Sequence, residues 1–359
     1  MKKADDFMRH TIVVKMDPRD PDLSRIREIA RGSREGKIVV FPTETVYGMG
    51  APMSVKSVRA KLVELKKRSQ EKPFAYHVGE WDMIDFLGVE RTPPFRYLIR
   101  NFWPGPLSLL VLNRQGEKIG LRFPRNRLAT TLINATGEPF IATSANHSGT
   151  PSPHKAQDVL DQFGNEIDYV IDAGPTEFKQ DSTIVDLTVS PPLIVREGAM
   201  IHEIKAAVEK ITSGKFPRKM ILVVCTGNSC RSPMAEGWLK AELAKHGLSE
   251  EIDVSSCGIG AREGSPPTAE AIYVMKNREV DISGHRSFFC TREMIMSADI
   301  IIAMSKDHSN YLTGLVPAAK SKIRVFDVKD PIGASMTVYE DAMAEIERYF
   351  EENWKWLVS

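Results

Sequence analysis

The sequence predicts two α/β domains, a mixed twisted sheet with helices followed by a small parallel sheet layered between helices. Three observations predict this. A chain of 359 residues is long enough for two cores of ordinary domain size. Short apolar runs alternate with stretches of helical spacing along most of it. One polar stretch carrying Gly and Pro, residues 212–219, breaks that alternation. The boundary is placed there, giving domains 1–215 and 216–359.

Composition narrows the class. An apolar content of 42% with 26% charged residues is ordinary for a soluble globular protein. A formal net charge of +1 excludes a global basic excess of the kind that drives tight nucleic-acid binding. Asp5 and Asp6 interrupt any apolar core of a signal peptide, and no run is long enough for a membrane span. All four cysteines (225, 230, 257 and 290) lie in the second domain. With one of them chemically plausible as a thiolate, that placement predicts a reducing cytoplasm rather than a disulfide framework.

In the first domain the patterns predict strands at 11–15, 37–41, 74–78, 107–113, 119–123, 139–142, 169–172, 183–187 and 193–196. Helices are predicted at 22–32, 54–67, 126–135 and 155–162, with a closing helix at 201–211. The segments between them carry dense polar motifs: Pro42-Thr-Glu-Thr-Val-Tyr-Gly48, Lys66-Lys-Arg68, Trp103-Pro-Gly-Pro106, Ser144-Ala-Asn146 and Asp181-Ser-Thr183. The second domain predicts strands at 220–224, 252–256, 299–304 and 323–327, with helices at 233–246, 267–277, 291–297, 306–314 and 338–356. Short apolar strands separated by helices imply a parallel sheet covered on both faces. The last helix is read as opening on a capping box, Thr337-x-x-Glu340, with Tyr339, Met343, Ile346 and Phe350 on one face.

The densest chemical signal is the loop after the first strand of the second domain. Residues 225–232 read Cys-Thr-Gly-Asn-Ser-Cys-Arg-Ser and lead into a helix opening near Pro233. Such a turn gathers backbone N–H groups around one point, and the helix adds its positive end. A field that binds a phosphate dianion also stabilises a thiolate, so Cys225 is expected to be a nucleophile with a lowered pKa. Arg231 can fork two donors onto phosphoryl oxygens. Ser232 suits a helix N-cap and Pro233 the first helical position. Departure of an alkoxide, phenoxide or guanidine needs an acid. Asp330, on the turn Asp-Pro-Ile-Gly333, is the candidate.

Cys225, Arg231, Ser232 and Asp330 together resemble the low-molecular-weight protein tyrosine phosphatase family, with the same element order over 219–358. The resemblance implies a flavodoxin-like, three-layer domain. It implies Cys225 as the nucleophile of a phosphocysteine intermediate, Arg231 as phosphoryl ligand and Asp330 as general acid. Thr226, Gly227, Asn228, Ser229, Cys230 and Ser232 complete the phosphate loop, Asn228 and Ser232 holding loop and thiolate. Ser229 stands where tyrosine-directed members carry a bulky aliphatic residue and the protein-arginine phosphatase branch a Thr. That favours phosphoarginine over phosphotyrosine, while Ile332 replaces the aromatic common to both branches. Cys230 either packs or forms a protective disulfide with Cys225, and Cys257 and Cys290 read as core. Arsenate reductase is a competing reading on the same scaffold, but 299–305 lacks the redox cysteines it would require.

The first domain's motifs form an ordered set: Pro42-Thr-Glu-Thr-Val-Tyr-Gly, Lys-x-Arg at 66–68, Lys72-Pro73, Trp-Pro-Gly-Pro, Arg122-x-Pro124, Ser-x-Asn, Ser148-Gly149, Ser152, 181–186 and 194–198. Singly, the basic cluster could be a solvated helix face and the Ser-x-Asn an ordinary turn. Together they resemble the YrdC-like threonylcarbamoyl-AMP synthase family over about residues 10–205. The resemblance implies condensation of L-threonine, bicarbonate and ATP, with Mg²⁺ accompanying the ATP, to threonylcarbamoyladenylate and pyrophosphate. Partner proteins of tRNA modification would then use that product. By the match, Thr45, His77, Arg122 and Ser182 bind threonine. Lys66, Arg68, Lys72, Lys118, Ser144, Asn146, Ser152 and Arg196 bind or line the nucleotide. No Cys/His metal-ligand spacing occurs in this domain. An RNA-binding module without synthase activity is the alternative, since basic residues near 59–72 would serve phosphate contacts in either case.

Overall fold

The computed structural model describes residues 10–67 and 74–359. It divides into two compact units, Met1–Gly214 and Lys215–Ser359. The strands described in the first unit are β1 (Ile12–Lys15), β2 (Val39–Pro42), β3 (Tyr47–Pro52), β4 (Ala75–His77), β5 (Leu107–Leu112), β6 (Lys118–Arg122), β7 (Phe140–Ser144), β8 (Tyr169–Asp172), β9 (Thr183–Asp186) and β10 (Leu193–Arg196). They form one mixed sheet in the order β1-β8-β2-β3-β7-β4-β6-β5-β9-β10. Helices α1 (Leu23–Arg34), α2 (Val58–Lys66), α3 (Asp82–Phe86), α4 (Pro93–Phe102), α5 (Arg127–Thr136), α6 (Ala156–Phe163) and α7 (Ile201–Thr212) accompany it.

The sheet differs from the sequence expectation at its centre. Residues 47–52, read as loop, form β3, antiparallel to both β2 and β7. Two glycines and a proline weaken its strand signal. The sheet nevertheless needs Gly50, because a Cβ there would lie 2.3 Å from the Ile141 carbonyl oxygen. Helices α3 and α4 are also additional. Thr92 caps α4 by accepting from Phe95 N–H at 3.4 Å, with Pro93 at the first position. Its buried Phe95, Leu98, Ile99 and Phe102 then supply the apolar face.

The second unit is a parallel sheet of β11 (Lys219–Cys225), β12 (Ile252–Gly258), β13 (Ile300–Ala303) and β14 (Ile323–Val325), ordered β12-β11-β13-β14. Helices α8 (Arg231–Lys245), α9 (Ala269–Lys276), α10 (Arg292–Ser297), α11 (Lys306–Leu315) and α12 (Met336–Val358) cover it. Side chains alternate along β11. Ile221, Val223 and Cys225 join Met234 and Leu239 of α8 and Met343, Ile346 and Phe350 of α12 in one core. Leu222 and Val224, equally buried, point to the opposite face. The order reverses direction at β11, and such a switch point is where open α/β sheets bind ligands, beyond the strand's carboxyl end.

Two helix starts are corrected. α12 begins at Met336 with Ser335 as N-cap, so Thr337 lies inside the first turn and makes no capping box. Glu340 instead accepts from Arg278 Nη1 at 2.7 Å. α8 begins at Arg231 with Cys230 in the cap position, and Ser232 is not the N-cap. Its hydroxyl is used within the loop.

Candidate active sites

β11 ends on Cys225, and the chain turns through 226–230 into α8. Asn228 takes a left-handed φ of 51°, which asparagine tolerates better than most residues. That turn brings its N–H to Cys225 Sγ at 3.2 Å, while Ser232 Oγ lies 2.9 Å from the same sulfur. Asn228 Nδ2 donates to Ser232 Oγ at 2.9 Å and to Ser256 Oγ at 2.7 Å. Behind it, Ser256 donates to Glu236 at 2.6 Å, and His285 faces that carboxylate at 3.6 Å. Ser256 and His285 escaped the sequence reading because they arrive from β12 and a distant loop.

The loop's remaining members are close by. A Cβ at Gly227 would come 3.2 Å from Ser229 Oγ, and Ser229 C=O accepts from Thr268 N–H at 2.9 Å. Cys230 Sγ turns to Tyr339 OH at 3.4 Å and Thr268 Oγ1 at 3.6 Å. Cys257 and Cys290 are free and buried.

Burial pushes the Cys225 thiol above its ordinary value, against the lowering contacts of Ser232, Arg231 and the Asn228 N–H. This corrects the expected lowered pKa. The stabilising donors are present, but the sulfur is sunk so deeply that loss of hydration outweighs them.

Arg231 is buried and pairs with the partly exposed Asp330 carboxylate, while its Nη1 donates to Val328 C=O at 3.0 Å. Arg231 Nη2 also lies 3.5 Å from Thr226 Oγ1. The loop after β14 therefore brings a carboxylate across from the sulfur-bearing loop. His308, which the sequence reading passed over, contacts Thr226 Oγ1 through Nε2 at 2.9 Å.

In the first unit a cavity of about 540 Å³ opens against β4, β6, β7 and β9. His77, Arg122, Ser144, Ser182 and Arg196 line it, beside Asp181, Ser108 and the apolar Val46, Phe74, Leu110 and Ile184. Gly120 also lines it, and a Cβ there would approach Ala75 Cα to 3.2 Å. Arg122 Nη2 donates to Glu44 Oε1 at 2.9 Å and to Thr45 Oγ1 at 2.5 Å. Both ions of that pair are buried. Ser182 Oγ accepts from Arg196 Nη2 at 3.0 Å and lies 2.9 Å from Ser108 Oγ. Ser152 Oγ donates to Asp181 at 3.0 Å.

Lys66 Nζ donates to Ser144 C=O at 2.8 Å and Asn146 C=O at 2.9 Å, and Ser144 Oγ donates to Asn146 Oδ1 at 2.6 Å. His77 is buried and pushed down to about 3 by burial and then by Arg122, so its ring is neutral at neutral pH. Of the predicted residues, His77, Arg122, Ser144, Ser182 and Arg196 line the cavity, while Thr45, Ser152, Asn146 and Lys66 stand behind it, bonded to the lining residues Arg122, Asp181 and Ser144. Lys118 is not brought in. It begins β6, about 13 Å of strand from Arg122, and ion-pairs with Asp186. Arg68 and Lys72 lie outside the described residues. Glu44, Ser108 and Asp181 were not singled out beforehand. Glu44 and Asp181 sat inside motifs already quoted, whereas nothing local marks Ser108.

Comparison with known proteins divides the chain in the same two parts. The family described as telomere recombination (Sua5/YciO/YrdC) matches residues 33–198, and the family described as low molecular weight phosphotyrosine protein phosphatase matches residues 220–357. The threonylcarbamoyl-AMP synthase of Pyrococcus abyssi is 35% identical over 52% of this chain, and the chain spans 58% of that protein's length. A putative threonylcarbamoyl-AMP synthase of Mycobacterium tuberculosis is 39% identical over 47% of this chain and 82% of its own. A probable low molecular weight protein-tyrosine-phosphatase EpsP of Ralstonia nicotianae is 35% identical over 36% of this chain and 90% of its own. The crystal structure of P. abyssi Sua5 complexed with L-threonine covers 94% of this chain and 98% of itself, with a TM-score of 0.53 at 22% identity. At that identity the likeness is one of fold. The chain belongs to the Sua5/YciO/YrdC family through its first unit and to the low molecular weight phosphotyrosine protein phosphatase family through its second.

Proposed function

We propose that the first unit forms L-threonylcarbamoyladenylate and pyrophosphate from L-threonine, bicarbonate and ATP, for threonylcarbamoyladenosine modification of tRNA by partner proteins. The second unit hydrolyses phosphorylated proteins through a phosphocysteine, and both act in the cytoplasm. The observation that carries the first reading is one cavity lined by His77, Arg122, Ser144, Ser182 and Arg196, with Lys66 donating to the Ser144 carbonyl behind it. Nucleotidyl transfer from ATP asks for positioning and charge neutralisation rather than covalent help from the protein. Arg122 receives the threonine carboxylate, its charge balanced by Glu44. The neutral His77 ring offers a hydrogen bond without adding charge. Lys66, Arg196, Ser144 and Ser152 take the nucleotide, with Arg68 and Lys72 completing that set. Among the described residues the cavity lining includes a single carboxylate, Asp181, so Mg²⁺ travels with the triphosphate rather than in a protein cage.

The second reading rests on one loop that holds Cys225 against Ser232 and pairs its Arg231 with Asp330. A phosphoryl group entering there is gripped by Arg231 and frees the Asp330 carboxyl to protonate the leaving atom. Cys225 gives its proton to the freed Asp330 carboxylate and attacks phosphorus, and Asp330 passes that proton to the leaving atom as its bond to phosphorus breaks. Water, losing a proton to Asp330, then cleaves the phosphocysteine, and Ser232 and the Asn228 N–H stabilise the sulfur released. The small Ser229 favours a phosphoguanidinium over a phenyl ring, making phosphoarginine the preferred substrate.

Incubation with ATP, threonine and bicarbonate tests the first activity. Threonine-dependent pyrophosphate release is expected, whereas salt-sensitive RNA binding without turnover would replace the proposal with an RNA-binding module. Turnover of phosphoarginine against phosphotyrosine tests the second, and a faster phosphotyrosine rate would reverse the assignment.

A further inference from the structure

His308 is a buried histidine in the second unit that neither proposed reaction uses. It sits in the first turn of α11, capped by Ser305, whose Oγ accepts from the His308 backbone N–H at 3.4 Å. The same Oγ lies 2.8 Å from His308 Nδ1, and Thr226 Oγ1 lies 2.9 Å from Nε2. Thr226 Oγ1 in turn lies 3.5 Å from Arg231 Nη2, the nitrogen that also holds Asp330. The line Ser305–His308–Thr226 therefore ends where the loop's guanidinium and the facing carboxylate meet.

The donors and acceptors along this line can be assigned. Burial, reinforced by Arg231, pushes His308 down to about 4 despite Asp330 and Asp307 nearby, so the ring is neutral with one N–H to give. Ser305 Oγ accepts from the His308 backbone N–H, and we take its own proton to be given to Nδ1, 2.8 Å away. The ring proton then sits on Nε2 and is donated to Thr226 Oγ1. With Arg231 and His308 both donating to that oxygen, the Thr226 proton is left for an acceptor other than these two.

We infer that His308 is a positioning residue that holds the Thr226 hydroxyl as a hydrogen-bond donor to the phosphoryl group undergoing transfer. The inference rests on the phosphatase reading of this unit. It adds to that reading a side-chain donor beside Arg231 which the loop motif does not disclose. A donor placed for an oxygen that gains charge during transfer acts mainly on kcat.

The test uses the full chain. Long-range ¹⁵N–¹H spectra of histidine-labelled protein are expected to show His308 as the Nε2–H tautomer, unchanged between pH 5 and 8. An Nδ1–H tautomer, or titration in that interval, would overturn the inference. In parallel, His308→Ala and Thr226→Val are each expected to lower kcat on phosphoarginine by about ten- to a hundredfold, with KM within about threefold. The double variant should be no slower than the slower single one, and His308→Gln, which can still donate from the Nε2 position, should recover most of the rate. Losses that multiply, or a His308→Gln variant that folds but is as slow as His308→Ala, would reduce His308 to a packing role. If the wild-type chain turned over neither phosphoarginine nor an aryl phosphate, the phosphatase reading would fall, and the spectra alone would still settle whether His308 holds Thr226.

Discussion

Ser232→Ala is the sharpest perturbation of the phosphate loop. The hydroxyl lies 2.9 Å from Cys225 Sγ and is the first of the contacts opposing the burial that raises the thiol's pKa. A hydrogen bond to a charged group is worth about 1.5–3 kcal/mol. At about 1.4 kcal/mol per factor of ten, its loss reduces the thiolate population at fixed pH by roughly ten- to a hundredfold. The rest of the network limits collateral damage, because Asn228 Nδ2 keeps Ser256 Oγ at 2.7 Å. The assay is the rate of iodoacetamide labelling of Cys225 as a function of pH, read by mass spectrometry of its peptide. The wild-type rate should still be climbing at pH 9, and the Ser232→Ala curve should lie below it with a later rise. Stability carries the same sign. The folded chain keeps this proton more tightly than the unfolded chain, so stability falls as pH climbs past the ordinary thiol value. A wild-type labelling curve that saturates near pH 6, or a variant that labels as fast as wild type, would refute the account of the thiol.

Three other outcomes are expected. His77 falls from 6.5 unfolded to about 3 folded, so its contribution is complete above pH 6.5 and is lost as pH drops toward 3. Thermal unfolding at pH 7 and pH 5 should show that loss, and His77→Asn should reduce the difference between the two. Glu44→Ala leaves Arg122 buried without its carboxylate and should destabilise the chain by about 3–5 kcal/mol in chemical denaturation. Ser229→Ile should shift the phosphatase preference from phosphoarginine toward aryl phosphates, and an unchanged ratio of kcat/KM values would contradict the size argument.

Much of this site was legible from local pattern. Cys225, Arg231 and Ser232 lie within eight residues, a spacing that a strand-to-helix turn converts directly into a loop around one point. Asp330 was legible by its turn chemistry. His308, Ser256 and His285 were not, because each meets the loop only through the ordering of β11 between β12 and β13. In the first unit Arg122, His77 and Ser182 could be named in advance, whereas Glu44 as the Arg122 counterion could not. Its carboxylate is buried by contacts that span 78 residues of chain.

The pattern of apolar runs and breaks was enough to predict two α/β domains, and the order of motifs predicted their families, because periodicity and turn chemistry act over a few residues. Tertiary structure alone decided that 47–52 is a central strand. Propensity opposes it, but packing between β2 and β7 demands a glycine at position 50. It also decided in which direction the Cys225 thiol is pushed, since burial is a property of the whole fold, and the loop sequence records only the donors that oppose it.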